Sequence, residues 1–171
     1  MVVSLLVISD REPLAWLLSE QRWAIPAGRA RSAPAIGDQL LLYTTRGCYR
    51  NPSRDRGLVM GLATVRTSPG PLPEAVSFRG RDFTTGFDVD IEGVAPLHHG
   101  VELGPMAGHL DFLPDAATWS VRLRRSLIPL SERDASAISS KLMHHVQPRG
   151  EVLAGYLRAS KTGTERVAGN T

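Results

Sequence analysis

The sequence contains little cysteine and no long hydrophobic run. Its 171 residues include one cysteine, Cys48, so no disulfide can form within the chain, and a reducing, cytoplasmic location is expected. No apolar run reaches the roughly 18 residues that cross a bilayer, so no association with a membrane is predicted. The apolar residues 2–8 have no basic residues before them and are followed by the polar residues 9–12, so they are interpreted as a first strand and not as a signal peptide.

Common catalytic signatures are also missing. The chain has no GxSxG nucleophile elbow, no glycine-rich loop ending in GK[ST] and no HExxH zinc motif. Cys48 has no histidine at a spacing that marks it as a nucleophile. His109 and Asp111 can share one face, but a pair of surface residues is a better interpretation than a metal site. We therefore expect no catalytic residues, no bound metal and no other cofactor.

Lysine is scarce, and arginine supplies nearly all of the positive charge. Eighteen of the twenty basic residues are arginine, and the net charge is +3. Seven arginines lie between residues 22 and 56 beside two acids, so that segment carries a local charge of +5. A GC-rich genome accounts for the global count but not for this clustering. Because a guanidinium donates two hydrogen bonds to one phosphate, the cluster favours phosphate binding, and a solvated surface loop stays equally open.

Hydrophobic patterns predict more strands than helices. The expected strands are residues 2–8, 39–45, 57–66, 87–94 and 119–123. A helix near 11–20 is predicted to begin after Asp10, and a second helix is predicted to begin at Ser131, where Asp134 completes a variant capping box. Residues 101–113 are interpreted as a short helix or turn, and the PGPLP stretch at 69–73 as a break followed by a loop.

The spacing of these elements favours one domain over residues 1–146, with residues 147–171 as a C-terminal tail. The tail is expected to be flexible or peripheral, with a short ordered piece near 151–158. The strands are short, and helices are missing between most of them. This pattern indicates an α+β fold in which a small, partly open barrel is flanked by helices, rather than a doubly wound parallel sheet.

Aromatic residues are few, since the chain has only ten. Trp16 lies on the predicted first helix and is expected to pack in the core. Trp23, Tyr43 and Trp119 instead lie at strand edges beside small or polar residues. An aromatic wall with hydroxyl and backbone groups nearby suits a flat, hydrogen-bonding guest such as a nucleobase. Ordinary core packing is the other interpretation of these three rings.

The order of several short segments resembles one known family. The segments are VISDRE, RWAIPAGR, IGDQLLLYTT, GLVMGLATV, FDVDIEGVAPL, LDFLPDAATWSVRL and PLSERDASAISSKL, which together span about residues 1 to 145. Their order and spacing resemble the EVE domain, a member of the PUA-like superfamily that also includes the YTH and ASCH domains. The form of IGDQLLLYTT, in which Gly-Asp leads into a strand that ends near a tyrosine, is the strongest single piece.

The resemblance implies a PUA-like mixed β pseudo-barrel of five to six strands flanked by helices. It also implies a non-enzymatic module whose partner is DNA or RNA carrying a modified, for example methylated, base. That base would be flipped into a slot open to solvent and lined by indole and phenol rings. The base-pocket residues implied for this chain are Ser9, Trp23, Ala24, Ile25, Tyr43, Thr44, Trp119 and Ser120. Arg29, Arg31 and Arg46 are expected to contact phosphates, and they are chosen for their charge.

Two other functions stay open. A PUA- or ASCH-like binder of unmodified structured RNA would need the same basic face without a closed aromatic pocket. A small ASCH-like hydrolase would need converging Lys, Thr and Glu side chains, and the only two lysines, Lys141 and Lys161, both come late in the chain. The sequence does not decide between DNA and RNA, and it leaves the oligomeric state open.

Overall fold

The structure, a computed structural model, describes residues 1–161, and that part of the chain holds eight strands and four α-helices. The strands are β1 (Val3–Ile8), β2 (Arg22–Ile25), β3 (Gln39–Thr44), β4 (Leu58–Val65), β5 (Gly70–Phe78), β6 (Arg81–Val94), β7 (Val101–Glu102) and β8 (Leu127–Pro129). The helices are α1 (Arg11–Glu20), α2 (Trp119–Arg122), α3 (Glu132–Leu142) and α4 (Arg149–Lys161). Short 3₁₀ turns lie at Ala27–Ser32 and Gly104–Met106.

The strands form one mixed sheet. Its continuous path runs β2-β6-β4-β3-β1-β8, while β5 pairs with β6 and β7 pairs with β4. The pairing of β1 with β3 is parallel, and the other strand pairs are antiparallel. The six strands of this path and the flanking helices match the α+β pseudo-barrel expected from the sequence.

The parallel pair brings two strand ends together. The register places Ile8 opposite Thr44, and the Thr45 amide donates a hydrogen bond to the Ile8 carbonyl at 3.1 Å. Helix α1 begins directly after Asp10. We call the place where β1 and β3 end and α1 begins the carboxyl edge. Loops beyond the carboxyl ends of parallel strands are frequent positions for ligand sites, so this edge is the first candidate.

Each face of the sheet carries its own hydrophobic core, because successive side chains of a strand point to opposite faces. On β3, Leu40 and Leu42 enter the first core, which also contains buried residues of α1 and α4. Leu41 and Tyr43 enter the second core, which contains Ile138 and other buried residues around α3. The strand is buried on both faces, so its sequence shows an uninterrupted apolar run.

The two helices with predicted start signals form as expected. The hydroxyl of Ser131 accepts a hydrogen bond from the Asp134 amide at 3.1 Å, as in a capping box. The fully buried carboxylate of Asp134 accepts two further bonds, from the amides of Asp111 and Phe112. Helix α1 also begins after Asp10, but the Asp10 side chain makes no capping hydrogen bond.

Two predictions about local structure were wrong. Residues 119–123, expected to be a strand, contain helix α2, because Asp115 accepts hydrogen bonds from the Ala117 amide and the Thr118 hydroxyl and so turns the chain. The PGPLP stretch and the residues after it, expected to be a break and a loop, form strand β5 instead. Its prolines are tolerated because β5 pairs with β6 alone. Arg79 and Gly80 then turn the chain with positive φ values of 51° and 74°.

The expected peripheral tail is in part a core helix. Helix α4 extends beyond the predicted ordered piece near 151–158, and its Val152 and Tyr156 are buried in the first core. The Tyr156 hydroxyl donates a hydrogen bond to the Ala95 carbonyl at 2.6 Å. Residues 162–171 of the predicted tail lie outside the described residues. Between residues 1 and 161, no helix combines the length and apolar character needed to span a membrane.

Candidate functional site

A buried carboxylate lies at the carboxyl edge. The side chain of Asp10 is 8% exposed, and neither of its oxygens accepts a hydrogen bond within the described residues. The Nε atom of Arg79 lies 3.0 Å from Oδ2, but without the geometry of a hydrogen bond, and a terminal nitrogen of Arg50 lies 3.6 Å from Oδ1. The charge of Asp10 is therefore compensated, while its hydrogen-bonding capacity is unused.

The β5–β6 hairpin covers Asp10. Arg79 lies in the turn of this hairpin, which is held against α1 by an aromatic contact between Phe78 and Trp16. The two ring centroids are 5.7 Å apart in an edge-to-face arrangement, and Phe83 packs against Phe78 at 5.9 Å. Arg81 lies over the Phe83 ring. The hairpin is thus fastened to the middle of α1 at Trp16, and its turn reaches the start of the helix through Arg79.

A second buried carboxylate, Asp55, lies in the loop between β3 and β4. It forms two hydrogen bonds with Arg54, at 2.6 Å and 3.0 Å, which raise the pKa of the Arg54 guanidinium. The Nδ1 atom of His98 lies 3.6 Å from the same carboxylate. His98 also contacts the Tyr49 ring edge-to-face at 5.2 Å. Unlike Asp10, Asp55 is fully engaged in holding its own loop.

Cys48 is completely buried and lies within the electrostatic influence of both acids. Burial raises the pKa of its thiol to about 12, and the negative charges of Asp10 and Asp55 act in the same direction. Burial likewise raises the pKa of the neighbouring Tyr49. A protonated, inaccessible thiol is a poor nucleophile, so Cys48 has the character of a structural cysteine.

Exposed arginines from three separate parts of the chain surround the carboxyl edge. Arg46 and Arg50 follow β3 directly, and Arg79 comes from the hairpin. Arg124 and Arg125 precede β8, and their backbone lies next to the end of β1, because the Val7 amide donates a hydrogen bond to the Ser126 carbonyl at 2.9 Å. We call these five residues the arginine rim. Asp10 and Glu12 both approach Arg50 at 3.6 Å and offset part of its charge.

The predicted base-pocket residues divide between the two faces of the sheet. Trp23 and Ile25 are half-buried on β2 and pack against the first core, as does Tyr49. Ala24 between them is half-buried, and Ser9 is exposed at the end of β1. Thr44 is buried, and its hydroxyl lies 3.4 Å from the Leu58 carbonyl, to which it donates.

The expected slot lined jointly by the three rings does not form. Tyr43 and Trp119 belong to the second core, on the face opposite Trp23. Burial raises the pKa of Tyr43 to about 12, and Gly57 packs tightly against the Tyr43 hydroxyl. The Trp119 ring lies against Gly104. Ser120 is exposed on α2 rather than on a strand.

The three predicted phosphate contacts are all exposed. Arg29 and Arg31 lie in the 3₁₀ turn after β2. Within residues 1–161, no ion pair joins either of them to an acid. Arg46 donates two hydrogen bonds to the Pro52 carbonyl and closes its own loop. Sequence reasoning missed Asp10, Arg79, Arg124 and Arg125 as site residues. Only the RLRR stretch at residues 122–125 gave a visible signal for any of these.

Two surface cavities lie elsewhere. One of about 250 Å³ is lined by residues that include Arg22, Leu72 and Asp88, and one of about 290 Å³ by residues that include Met106 and Lys141. Neither includes Trp23 or Ser9. Among residues 1–161, no three His, Cys, Asp or Glu side chains are grouped as metal ligands.

Comparison with solved structures shows a YTH-like fold. The Mmi1 YTH domain in complex with RNA aligns with a TM-score of 0.57 and 10% identity, covering 84% of this chain and 78% of that one. The apo YTH domain of Toxoplasma CPSF4 aligns with a TM-score of 0.55 and 13% identity, covering 86% and 90%. A Pseudomonas putida protein aligns with a TM-score of 0.52 and 18% identity, covering 81% and 97%. No family model and no curated protein matches the sequence.

At these identities the likeness establishes the fold alone. The chain has an α+β fold like that of the YTH domains, and this fold class agrees with the one predicted from the sequence. The alignments cover more than four-fifths of this chain, so the likeness includes most of the strands and helices described above.

Proposed function

We propose that the chain is a non-enzymatic nucleic-acid-binding module that holds one flipped base beside Trp23 and the surrounding phosphates on the arginine rim. The observation that carries this proposal is the convergence of exposed arginines from three chain segments on one edge of the sheet. Each guanidinium can donate two parallel hydrogen bonds to a phosphate. Arg29 and Arg31, which follow Trp23 in the chain, add two further exposed cations.

Trp23 is the aromatic residue best placed to contact a base. It is half-buried, so its indole is anchored in the first core while part of the ring faces solvent. Ala24 and Ile25 leave backbone groups beside it. Stacking on one ring contributes about 1–3 kcal/mol per base, which is comparable to the few kcal/mol that base extrusion costs. Phosphate neutralisation must therefore supply much of the remaining affinity.

The base in this proposal is a modified one, such as a methylated base. An apolar contact discriminates a methyl group by only about 1–3 kcal/mol, so the preference over the plain base is expected to be modest. The sequence resemblance supports placing the chain in the EVE branch of the PUA-like superfamily. The YTH structures solved with RNA support a nucleic-acid partner. The lone, buried Cys48 is consistent with a non-enzymatic protein in a cytoplasmic location.

Fluorescence anisotropy with short single-stranded RNA and DNA oligonucleotides tests the proposal. Each oligonucleotide carries one variable central base, which is plain or methylated cytosine, adenine or guanine, and binding is measured at several salt concentrations. We expect salt-sensitive binding with a several-fold preference for a methylated form. Equal binding of plain and methylated oligonucleotides would favour the PUA- or ASCH-like alternative. Absence of binding to every oligonucleotide would overturn the proposal.

A further inference from the structure

We infer that Asp10 is a specificity-determining acceptor that selects guanine, or a base with the same pair of N–H donors, and that Arg79 occupies its place in the free protein. This inference rests on the proposed function. The carboxylate is more than nine-tenths buried, and neither of its oxygens accepts a hydrogen bond within residues 1–161. A buried acceptor with this much unused capacity is costly unless a ligand supplies donors.

The usual structural explanation for an aspartate at this position does not apply. An N-cap aspartate normally accepts a hydrogen bond from an amide in the first turn of its helix. Asp10 has the extended backbone of an N-cap, yet its side chain makes no such bond. Asp55, the other buried acid at this edge, is fully engaged with Arg54. Of these two acids, only Asp10 has two oxygens that accept no hydrogen bond within residues 1–161.

The group that now faces Asp10 indicates which ligand would fit. Arg79 approaches Asp10 with the Nε atom of its guanidinium, a group whose neighbouring N–H donors form a planar fork that matches a carboxylate. Among the four common bases, guanine presents the same fork, because its N1–H and N2 amino donors lie side by side on one edge. Cytosine, adenine and uracil each place an acceptor next to their donor, and that acceptor would face a carboxylate oxygen.

The side chain of Arg79 is well placed to be displaced from Asp10 by a ligand. Its side chain is 59% exposed and lies in a hairpin turn, and its approach to Asp10 at 3.0 Å lacks hydrogen-bond geometry. An arginine that is mostly exposed and makes no hydrogen bond to its partner is easily exchanged. A guanine that donates two charge-assisted hydrogen bonds would replace it with better geometry. The hairpin would then open at its turn while the contact between Phe78 and Trp16 keeps it attached to α1.

The test compares guanine with hypoxanthine, which differs only in lacking the N2 amino group. Short single-stranded oligonucleotides with oligouridine flanks carry one central guanine, hypoxanthine or uracil, and binding is measured by anisotropy. We expect the parent protein to bind the guanine oligonucleotide about tenfold or more tightly than the hypoxanthine one. Asp10→Asn should reduce that preference to about twofold or less, because an amide offers one acceptor only.

Two further variants separate recognition from general charge. Glu12→Gln removes an acid that also lies 3.6 Å from Arg50 but leaves Asp10 intact, so the guanine preference should persist. Arg79→Gln removes the competing group and should raise the preference for guanine over hypoxanthine, although the loss of one rim cation weakens binding to every oligonucleotide. Thermal melting checks that each variant is folded, and the comparison of bases in the parent needs no variant.

The outcomes distinguish this inference from the proposed function. Equal binding of guanine and hypoxanthine by the parent, or an unchanged preference in folded Asp10→Asn, overturns the role of Asp10 and leaves a nucleic-acid-binding module. Failure of the parent to bind any of the oligonucleotides overturns both. Guanine preference that is lost in Asp10→Asn and kept in Glu12→Gln supports the inference.

Discussion

Trp23 and Tyr43 lie on opposite faces of one sheet, Trp23 against the first core and Tyr43 inside the second. Of these two residues, only Trp23 can therefore contribute to a binding site on the face of the sheet that packs against α1 and α4. The aromatic surface available to a ligand is smaller than the sequence indicated, so the arginine rim and the hydrogen bonds at the carboxyl edge gain importance.

This relationship gives a paired prediction for binding. Trp23→Ala should weaken oligonucleotide binding about tenfold, because the stacking surface is removed. Tyr43→Phe should bind like the parent, because its ring is buried on the other face. Anisotropy titrations measure both affinities, and circular dichroism shows whether each variant is folded. A folded Trp23→Ala variant with parental affinity would remove Trp23 from the site.

The arginine rim predicts a change in salt dependence. Replacing Arg124 and Arg125 by alanine should weaken binding to all sequences alike and lower the slope of log affinity against log salt by about 0.7 for each phosphate that is no longer neutralised. The matched control replaces Arg66 and Arg133, which are exposed and paired with Asp90 and Asp111. If both double variants change the slope equally, net charge and not the rim governs binding.

Cys48 predicts a loss of stability in alkaline solution. Its pKa is raised from about 9 in the unfolded chain to about 12 in the fold, so folding favours the neutral thiol. The contribution of the neutral thiol to the free energy of unfolding is complete below pH about 9. As the pH rises from there toward about 12, that contribution falls by up to about 1.4 kcal/mol per pH unit. Urea unfolding across this range measures the effect.

The variant Cys48→Ala isolates the thiol in that experiment. It should be less stable at neutral pH because of the cavity, but its stability should decline less steeply between pH about 9 and about 10. Above that range the buried tyrosines also contribute, since the pKa of Tyr43 is raised from 10.0 to about 12. An identical decline in parent and variant would contradict a perturbed Cys48.

The tight packing of Gly57 against Tyr43 predicts that a larger residue at position 57 destabilises the second core. A Cβ added at this residue would lie 1.8 Å from the Tyr43 hydroxyl oxygen, so the ring or the strand must move. We expect Gly57→Ala to lower the free energy of unfolding by about 1–3 kcal/mol. Gly47→Ala, where an added Cβ meets nothing within 4 Å, is the control. Chemical denaturation of the two variants should therefore give clearly different midpoints.

Helix α4 is expected to contribute to global stability. Tyr156→Phe removes the hydrogen bond to the Ala95 carbonyl and should cost about 1–2 kcal/mol, because that bond is buried. Thermal or urea unfolding of the full chain measures the loss. A variant as stable as the parent would show that this hydrogen bond adds nothing to the attachment of α4.

The sequence alone predicted the features that depend on neighbouring residues. The runs of apolar residues identified β1 and β3, and the Ser131–Asp134 pair marked the start of α3, because strand periodicity and capping act over a few positions. The number of short strands and the lack of helices between them were enough to predict the α+β pseudo-barrel. Local turn chemistry at Asp115 and the hairpin turn at Arg79 and Gly80 were not recognised, so α2 and β5 were mispredicted.

Only the tertiary structure decided which side chains meet. The uninterrupted apolar run of β3 gives no sign of which face each residue occupies, so packing alone separates Tyr43 from Trp23. The contact of Asp10 with Arg79 joins residues far apart in the chain and depends on how the β5–β6 hairpin folds back over α1. Short-range patterns fix the elements, whereas long-range packing of two cores fixes the composition of the site.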